Sequence, residues 1–460
     1  MLGRAGATAA SLLVGPVGLP GCLLLAFEEV TGGASTPEHP TASPDRTLFV
    51  LHGLLGCGRN WRSWAKRLVE GAAAAAPEAG GPWRALLVDL RCHGASARRP
   101  GINPPHNMAT AAEDVARLVY EQCGHQPPAA ILGHSMGGKV ALALLEHTRS
   151  RARQAAGGQA AGGAGAGSAG GRVAGLSSGG PRDSTPRSSA FAPFTTSAGA
   201  AAAAAAAASP SAASAAAAAA AAAAHRRHEH DPEGPACAPP RQLWVLDSQP
   251  GLVAAEQDAG TGVSRVLQTV HSISLPIPNR AWLLKRLREG GLTDALATWL
   301  ASNLAPLHEA PHHIHGHHGH GGGRAAGAGA ASGAAGTGPL TWTFDIAGAG
   351  AMYMSYRTTE FWHTLEQPPP GTAIHLVRGG RSDRWPADQQ RRLEQALAAA
   401  AAQASAAAGA GAGPGPGAHG AAAHGTFDLH VLPQAGHWLH VDDPNGLLQL
   451  VLPRLVAGEQ

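Results

Sequence analysis

Charged residues and cysteines are both scarce in this sequence. Only 14% of its 460 residues are charged, the formal net charge is +3, and there are five cysteines. The arginines are scattered rather than gathered into a stripe, which argues against a nucleic-acid surface. The cysteines form no close pairs and no regular framework, so a reducing, intracellular compartment is the simpler interpretation.

Acidic residues are also missing from the N-terminus, where the first one is Glu28. A segment without acids is typical of organelle transit peptides. Residues 1–22 are therefore either a chloroplast or mitochondrial transit peptide or the irregular N-terminus of a cytoplasmic protein. The apolar stretch over residues 11–27 contains Pro16 and Pro20. These prolines make it too broken for a membrane span, so we expect no transmembrane segment.

Alanine and glycine, by contrast, are heavily over-used in three tracts, residues 154–240, 311–338 and 398–424. All ten tryptophans avoid these tracts, and large rings are rarely retained where nothing packs against them. We therefore predict three low-complexity insertions that are disordered or loosely helical. The second contains the histidine-rich run 312–320, which could bind a metal adventitiously. No cysteine or carboxylate spacing defines a metal site, and none is predicted.

Six short, continuous apolar runs lie outside the tracts. Such runs are typical of strands that are buried on both faces of a parallel sheet. Helical spacing of apolar residues over 60–70, 111–120 and 139–148 alternates with these runs, which predicts right-handed βαβ crossovers. The runs occupy residues 47–51, 85–90, 129–132, 243–246, 373–377 and 427–432.

The predicted fold class is therefore α/β, with a mostly parallel central sheet and helices on both faces. Its core would comprise residues 23–153, 241–271, 339–397 and 425–460, with a first strand near residues 23–30. Functional residues of such sheets lie at the carboxyl ends of the strands. Glycine, histidine, serine and aspartate are concentrated at these positions of the sequence.

The strongest motif is Gly-His-Ser-Met-Gly over residues 133–137, between a predicted strand and a predicted helix. This is the setting of a G-x-S-x-G nucleophile elbow, in which a tight turn exposes the Ser135 hydroxyl and flanking glycines relieve close contacts. The backbone N–H of Met136 is then one donor of an oxyanion hole, and the N–H of Leu54, after the first of the six runs, is the second. His52 in that loop is interpreted as structural.

The general base is predicted to be His437, because a loop after the last strand can reach a central serine across the top of the sheet. Two aspartates end strands in the order serine, aspartate, histidine. Asp247 ends the strand after the nucleophile's, and Asp383 follows the penultimate strand. The residues alone leave both open as the acid. Asp89 precedes the serine and is interpreted as a structural cap.

Five segments together resemble the α/β-hydrolase family: HGLLGCGRNW, VDLRCHGAS, GHSMGGKVAL, VLDSQPG and AGHWLHVDDP. They are most similar to the esterase-like branch that includes α/β-hydrolase domain-containing protein 11 and its plant and bacterial relatives. The resemblance covers essentially every segment outside the three tracts.

This resemblance implies Ser135 as nucleophile, His437 as base, and the two backbone amides named above as the oxyanion hole. It favours Asp247 as the acid, whereas Asp383 matches the position that the wider family uses. It also implies a helical lid over residues 272–310 that ends within residues 339–397 and would form walls of an acyl pocket.

The predicted activity is acyl transfer to water, in which a serine hydrolase cleaves a carboxylic ester or a thioester through an acyl-enzyme. Such a mechanism needs no metal and no organic cofactor. The expected partner is a small-molecule acyl ester or thioester, and the sequence gives no indication of the oligomeric state. Two alternatives remain: an acyltransferase or lipase-like enzyme, and a non-catalytic ligand-binding protein on the same fold.

Overall fold

A computed structural model of the protein describes residues 25–33, 42–75, 81–162, 237–255, 262–307, 338–410 and 424–458. The N-terminal segment 1–22, the histidine-rich run 312–320 and the middle parts of the three predicted insertions lie outside these residues. The chain divides into two units, residues 1–153 with 233–460 and residues 154–232. Of the second unit, only the end of one helix is described.

The described strands alternate with helices along the chain, as the apolar runs predict. Each of the six runs overlaps one strand, and the first strand runs from Ala26 rather than from residue 23. The strands are β1 (Ala26–Gly32), β2 (Thr47–Leu51), β3 (Trp83–Asp89), β4 (Ala130–His134), β5 (Gln242–Leu246), β6 (Leu304–Pro306), β7 (Leu340–Trp342), β8 (Ala373–Gly379) and β9 (Thr426–Leu432).

Seven of these strands form one sheet in the order β1-β3-β2-β4-β5-β8-β9. All neighbours are parallel except β1, which pairs antiparallel with β3. The predicted α/β fold with a mostly parallel sheet is confirmed. Strands β4 and β5 lie in the middle, so the residues that follow them meet at the centre of one sheet edge.

Helices cover both faces of the sheet. Successive side chains of a strand point to opposite faces, and β2 shows this directly: Phe49 and Leu51 belong to one core cluster, Leu48 and Val50 to another. The helices are α1 (Arg62–Ala75), α2 (Met108–Cys123), α3 (Met136–Gly162), α4 (Val263–Ser272), α5 (Arg280–Glu289), α6 (Asp294–Leu300), α7 (Ile346–Thr358), α8 (Trp362–Glu366), α9 (Ala387–Ala410), α10 (Leu439–Asp442) and α11 (Pro444–Ala457). The first cluster includes α2, α3, α8 and α9, and the second includes α1 and α11.

Helices α4, α5 and α6 form a third apolar cluster, together with the short antiparallel pair of β6 and β7. Leu283 and Leu287 of α5 are fully buried in it, as is Leu300 of α6. Leu55, from the loop after β2, belongs to the same cluster. This helical segment therefore packs on a loop at the carboxyl edge of the sheet, and its role as a lid stays a prediction.

Two helices extend into the predicted insertions. Helix α3 continues to Gly162, into the tract that begins at residue 154, and α9 continues to Ala410, into the tract that begins at residue 398. Alanine has the highest helix propensity of all residues, which accounts for the continuation of α9. These first residues of the two tracts are helical rather than irregular.

Candidate active site

Ser135 lies in the tight turn between β4 and α3, with a φ of 52° that is uncommon for a residue with a side chain. A Cβ added at Gly133 would lie 2.3 Å from the Gly137 carbonyl oxygen, and one added at Gly137 would lie 2.5 Å from the Leu51 carbonyl oxygen. Both glycines are therefore required by close backbone approach. The turn is held in part because the Ser135 N–H donates to the Leu246 carbonyl at 2.9 Å.

The side chains of Ser135, His437 and Asp247 form one chain of hydrogen bonds. Nε2 of His437 lies 3.1 Å from Oγ of Ser135, and Nδ1 of His437 lies 2.7 Å from Oδ2 of Asp247. Because a carboxylate accepts at Nδ1, that nitrogen carries the proton and Nε2 presents its lone pair to the serine hydroxyl. This arrangement can take a proton from Ser135 when its oxygen attacks an electrophile.

Asp247 follows β5 directly, and its side chain is fully buried. Besides His437, it accepts hydrogen bonds from the Gly379 N–H at 2.8 Å, the Ser382 hydroxyl at 2.6 Å and the Trp385 Nε1 at 2.7 Å. Four donors thus converge on two carboxylate oxygens. They offset the loss of hydration on burial and fix the plane of the carboxylate against the imidazole.

The alternative acid, Asp383, is not brought to this site. Its side chain is 70% exposed, and its carboxylate pairs with Arg384 at 3.3 Å. The neighbouring residues Ser382 and Trp385 point the other way and donate to Asp247. The loop after β8 therefore supplies donors to the carboxylate from β5 rather than a carboxylate of its own.

The two predicted oxyanion donors, the N–H groups of Met136 and Leu54, belong to the helix start after Ser135 and to the loop after β2. Met136 is the first residue of α3, so its N–H has no partner within the helix. The Gly56 N–H donates to the Gly53 carbonyl at 3.1 Å, which closes a turn around Leu54. A Cβ added at Gly53 would lie 3.2 Å from the Ser135 Cβ, so this turn passes directly against the serine.

Two buried, neutral histidines hold that turn. The Leu90 N–H donates to Nε2 of His52 at 3.0 Å, and the Leu55 N–H donates to Nε2 of His93 at 3.1 Å. In each ring Nδ1 is then the donor, and its acceptor is a backbone carbonyl oxygen 2.8 Å away. For His52 this acceptor is the carbonyl of Gly53. Burial lowers the pKa of His52 to about 4 and that of His93 to about 3. The structural interpretation of His52 agrees with these contacts.

Asp89 is likewise bound into the backbone of two loops. Its carboxylate accepts from the Gly58 and Ala95 N–H groups, each at 2.8 Å. Burial raises the pKa of this carboxyl group, although both backbone bonds act against the shift. A Cβ added at Gly94, where φ is 53°, would lie 2.1 Å from Oδ2 of Asp89. The contacts are those of a structural cap.

His134 is a site residue that the sequence reasoning missed. It occupies the variable position before Ser135, and its ring nitrogen Nε2 donates to the His437 carbonyl oxygen at 2.8 Å. Burial holds the pKa of His134 well below its usual value, so the ring is neutral. This bond ties the loop of His437 directly to the end of β4, and no sequence pattern indicates it.

We expect His134→Leu to lower kcat about tenfold with little change in KM. The substitution keeps the buried volume but leaves the His437 carbonyl without its donor, at about 1–3 kcal/mol. His134→Gln retains an N–H donor and should recover part of the loss. Steady-state kinetics on an ester substrate would check this, and equal kcat values for wild type and the leucine variant would contradict it.

Lys139 anchors helix α3 from inside the protein. Its side chain is fully buried, and Nζ donates to the carbonyls of Gly251 at 2.7 Å, Thr359 at 2.8 Å and Tyr356. The ammonium also lies 4.3 Å from the centre of the Tyr356 ring. Burial lowers its pKa to about 7. This lysine therefore joins α3 to the loop after Asp247 and to the end of α7.

Comparisons with known proteins agree with this fold. Residues 46–156 match the family model for the α/β hydrolase fold. An abhydrolase domain-containing protein of Schizosaccharomyces pombe is 32% identical over 118 residues, which cover 26% of this chain and 35% of that protein. The sn-1-specific diacylglycerol lipase ABHD11 of Danio rerio is 34% identical over 95 residues, which cover 21% of this chain and 25% of that protein.

The chain thus spans about a third or less of the length of these curated relatives. A solved structure of a marine microorganism esterase is 16% identical with a TM-score of 0.48, over 94% of this chain and 99% of that one. The chain has the α/β-hydrolase fold, and its residues 46–156 are similar to that family. Within the described ranges, every helix is too short or too polar to cross a bilayer.

Proposed function

We propose that the protein is a serine hydrolase that cleaves carboxylic esters or thioesters through a Ser135-His437-Asp247 triad. The observation that carries this proposal is the continuous hydrogen-bond chain, 3.1 Å from hydroxyl to imidazole and 2.7 Å from imidazole to a buried carboxylate. The strained φ of Ser135 supports it further. Strain of this kind is retained where surrounding structure enforces it, as in nucleophile elbows.

The reaction begins when Oγ of Ser135 attacks the acyl carbonyl carbon and His437 takes the hydroxyl proton. The Leu54 and Met136 N–H groups donate to the oxyanion of the tetrahedral intermediate, and each is worth about 3 kcal/mol in the transition state. The intermediate collapses to the acyl-enzyme as His437 passes the proton to the leaving alcohol or thiol. Asp247 holds the imidazolium in place throughout.

In the second half of the reaction His437 takes a proton from water, and the hydroxide formed attacks the acyl-enzyme. The oxyanion forms again at the same two amides, and Ser135 leaves with the proton from His437. An alcohol in place of water would make the same site an acyltransferase. The similarity to the diacylglycerol lipase of Danio rerio supports diacylglycerol esters as the first natural substrates to test.

An active-site-directed fluorophosphonate tests the proposal. We expect stoichiometric labelling of the full-length protein, with mass spectrometry of its peptides placing the adduct on Ser135. Protein unfolded in urea serves as the control, because the reactivity of the hydroxyl depends on the folded triad. Absence of labelling, or an adduct on another residue, would favour the non-catalytic alternative.

Substrate class is resolved by a chain-length series of p-nitrophenyl esters beside matched thioesters. Alcohol acceptors are added in parallel reactions. We expect free acid as the main product. A transesterified product that exceeds free acid would identify an acyltransferase instead.

A further inference from the structure

A cysteine, a histidine and an aspartate from three separate segments meet beside the carboxyl edge of the sheet. Cys92 follows β3, His106 precedes α2, and Asp345 is the N-cap residue of α7. One sulfur, nitrogen or oxygen atom of each lies within 4.8 Å of those of the other two. This is the one group of three such side chains that the described residues contain. None of the three acts in the proposed hydrolytic mechanism.

The cysteine and the aspartate are fixed relative to each other. Cys92 is 2% exposed and has a φ of 66°, and its carbonyl accepts from the Asp345 N–H at 2.9 Å. Oδ1 of Asp345 accepts from the Ala347 N–H at 3.0 Å, the bond that caps α7. A Cβ added at Gly348 would lie 2.4 Å from Sγ of Cys92 and 2.6 Å from Oδ2 of Asp345. The glycine thus leaves room for the thiol and the second carboxylate oxygen to face one another.

The histidine brings an independent observation. Nδ1 of His106 is buried and has no hydrogen-bond partner among the described residues. A buried polar atom without a partner is unfavourable, so it points to a missing ligand or proton acceptor. The adjacent Pro105 carbonyl is held by Nη1 of Arg91 at 2.8 Å. Since Arg91 precedes Cys92 in the chain, one guanidinium positions both candidate ligands.

The guanidinium of Arg91, the residue before Cys92, already pairs with another carboxylate. Arg91 donates to the two carboxylate oxygens of Asp114 at 2.7 and 3.0 Å, a bidentate pair that is buried on both sides. Its remaining donor contacts are to backbone carbonyls. The positive charge of Arg91 is therefore balanced by Asp114, and the carboxylate of Asp345 has a charge that a bound cation could balance.

We propose that Cys92, His106 and Asp345 bind a divalent transition metal ion of the zinc class, with water as the fourth ligand. Thiolate and imidazole select such ions over Mg²⁺ and Ca²⁺, which prefer oxygen ligands. In a tetrahedral zinc site the ligand atoms lie about 3.3–3.6 Å apart. The three ligand atoms now lie up to 4.8 Å apart. They would therefore approach one another by up to about 1 Å when the ion binds.

Binding would stabilise the protein near the proposed oxyanion loop. His93, next to Cys92, accepts from the Leu55 N–H, and Leu55 follows the proposed donor Leu54. A metal ion at Cys92 would join this strand end to the segment before α2 and to the start of α7. Because the ion binds the folded chain and not an unfolded site, thermal unfolding should shift to higher temperature.

A cobalt titration of the full-length protein tests the proposal. Cobalt(II) bound by a thiolate shows a sulfur-to-metal charge-transfer absorption in the near ultraviolet. In wild type we expect the intensity of this band to reach a plateau that corresponds to one thiolate-bound cobalt ion per chain. The band should be absent in Cys92→Ser. The matched control is Cys123→Ser, which replaces another buried cysteine, in α2. The histidine-rich run 312–320 contains no cysteine and cannot produce the band.

Two further variants leave the cysteine in place. Asp345→Asn should weaken cobalt binding by at least about 10–100-fold, and Gly348→Ala should abolish the band by filling the space between Sγ and Oδ2. Far-ultraviolet circular dichroism checks that each variant is folded. A wild-type protein without the band, or a band that survives in folded Cys92→Ser, would overturn the proposal. The readout does not depend on hydrolysis, so its failure is separate from failure of the proposed function.

Discussion

Replacing Ser135 with alanine is expected to lower kcat for a p-nitrophenyl ester about 10⁶-fold. The variant keeps the imidazole, the buried carboxylate and both amide donors, but no oxygen remains to form the acyl-enzyme. Residual hydrolysis would come from water that attacks a carbonyl polarised by the Leu54 and Met136 amides. Residual rates of this kind exceed the uncatalysed rate by about 10³–10⁴-fold.

The control for this prediction is Ser405→Ala, which removes an exposed hydroxyl on α9 that donates to the Ala401 carbonyl. Its kcat should equal that of wild type. Alanine at position 135 still has to adopt a positive φ, so equal thermal unfolding temperatures of wild type and Ser135→Ala would exclude misfolding as the cause. Substantial activity in folded Ser135→Ala would require a different nucleophile.

The architecture was predictable from sequence because a parallel sheet buries its strands on both faces. Continuous apolar runs such as residues 47–51 and 243–246 mark those strands, and the alternation with helices fixes the class of fold. The antiparallel direction of β1 was not predictable in the same way. Its residues are only partly buried and include the charged residues Glu28 and Glu29, which gives no information about strand direction.

The sequence alone did not distinguish between the two candidate acids. Asp247 and Asp383 both follow strands at the correct edge of the sheet, and strand order alone cannot tell which carboxylate turns inward. The structure separates them through burial and donors: Gly379, Ser382 and Trp385 all donate to Asp247. Three residues near Asp383 in the chain therefore donate hydrogen bonds to Asp247.

Contacts between segments that are distant in the sequence could not be predicted either. His134 donates to the carbonyl of His437, a residue far along the chain. The elbow motif allows any residue at the position of His134, so the motif does not predict this contact. Cys92, His106 and Asp345 have no ligand spacing in sequence, since they come from three segments that meet only in the folded chain. Motif spacing reports ligands on one or two elements, and it fails when each ligand comes from a different one.

Replacing Asp247 with asparagine is expected to lower kcat about 10⁴-fold, whereas Asp383→Asn should leave it near the wild-type value. The carboxylate accepts four hydrogen bonds, from His437, Gly379, Ser382 and Trp385. An asparagine has one acceptor oxygen, so its amide nitrogen must face donors on the other side. If that nitrogen faces His437, the imidazole carries its proton on Nε2 and cannot accept from the serine.

The backbone should not account for this loss. Asp247 has a φ of 43°, and asparagine is among the residues that tolerate a left-handed conformation. The same mismatch of donors should also lower the unfolding temperature of Asp247→Asn. Kinetics are therefore compared at a temperature at which circular dichroism shows both variants folded. Equal and nearly full activity in the two variants would refute the assignment of the acid, because a buried carboxylate 2.7 Å from Nδ1 would then contribute nothing to proton transfer.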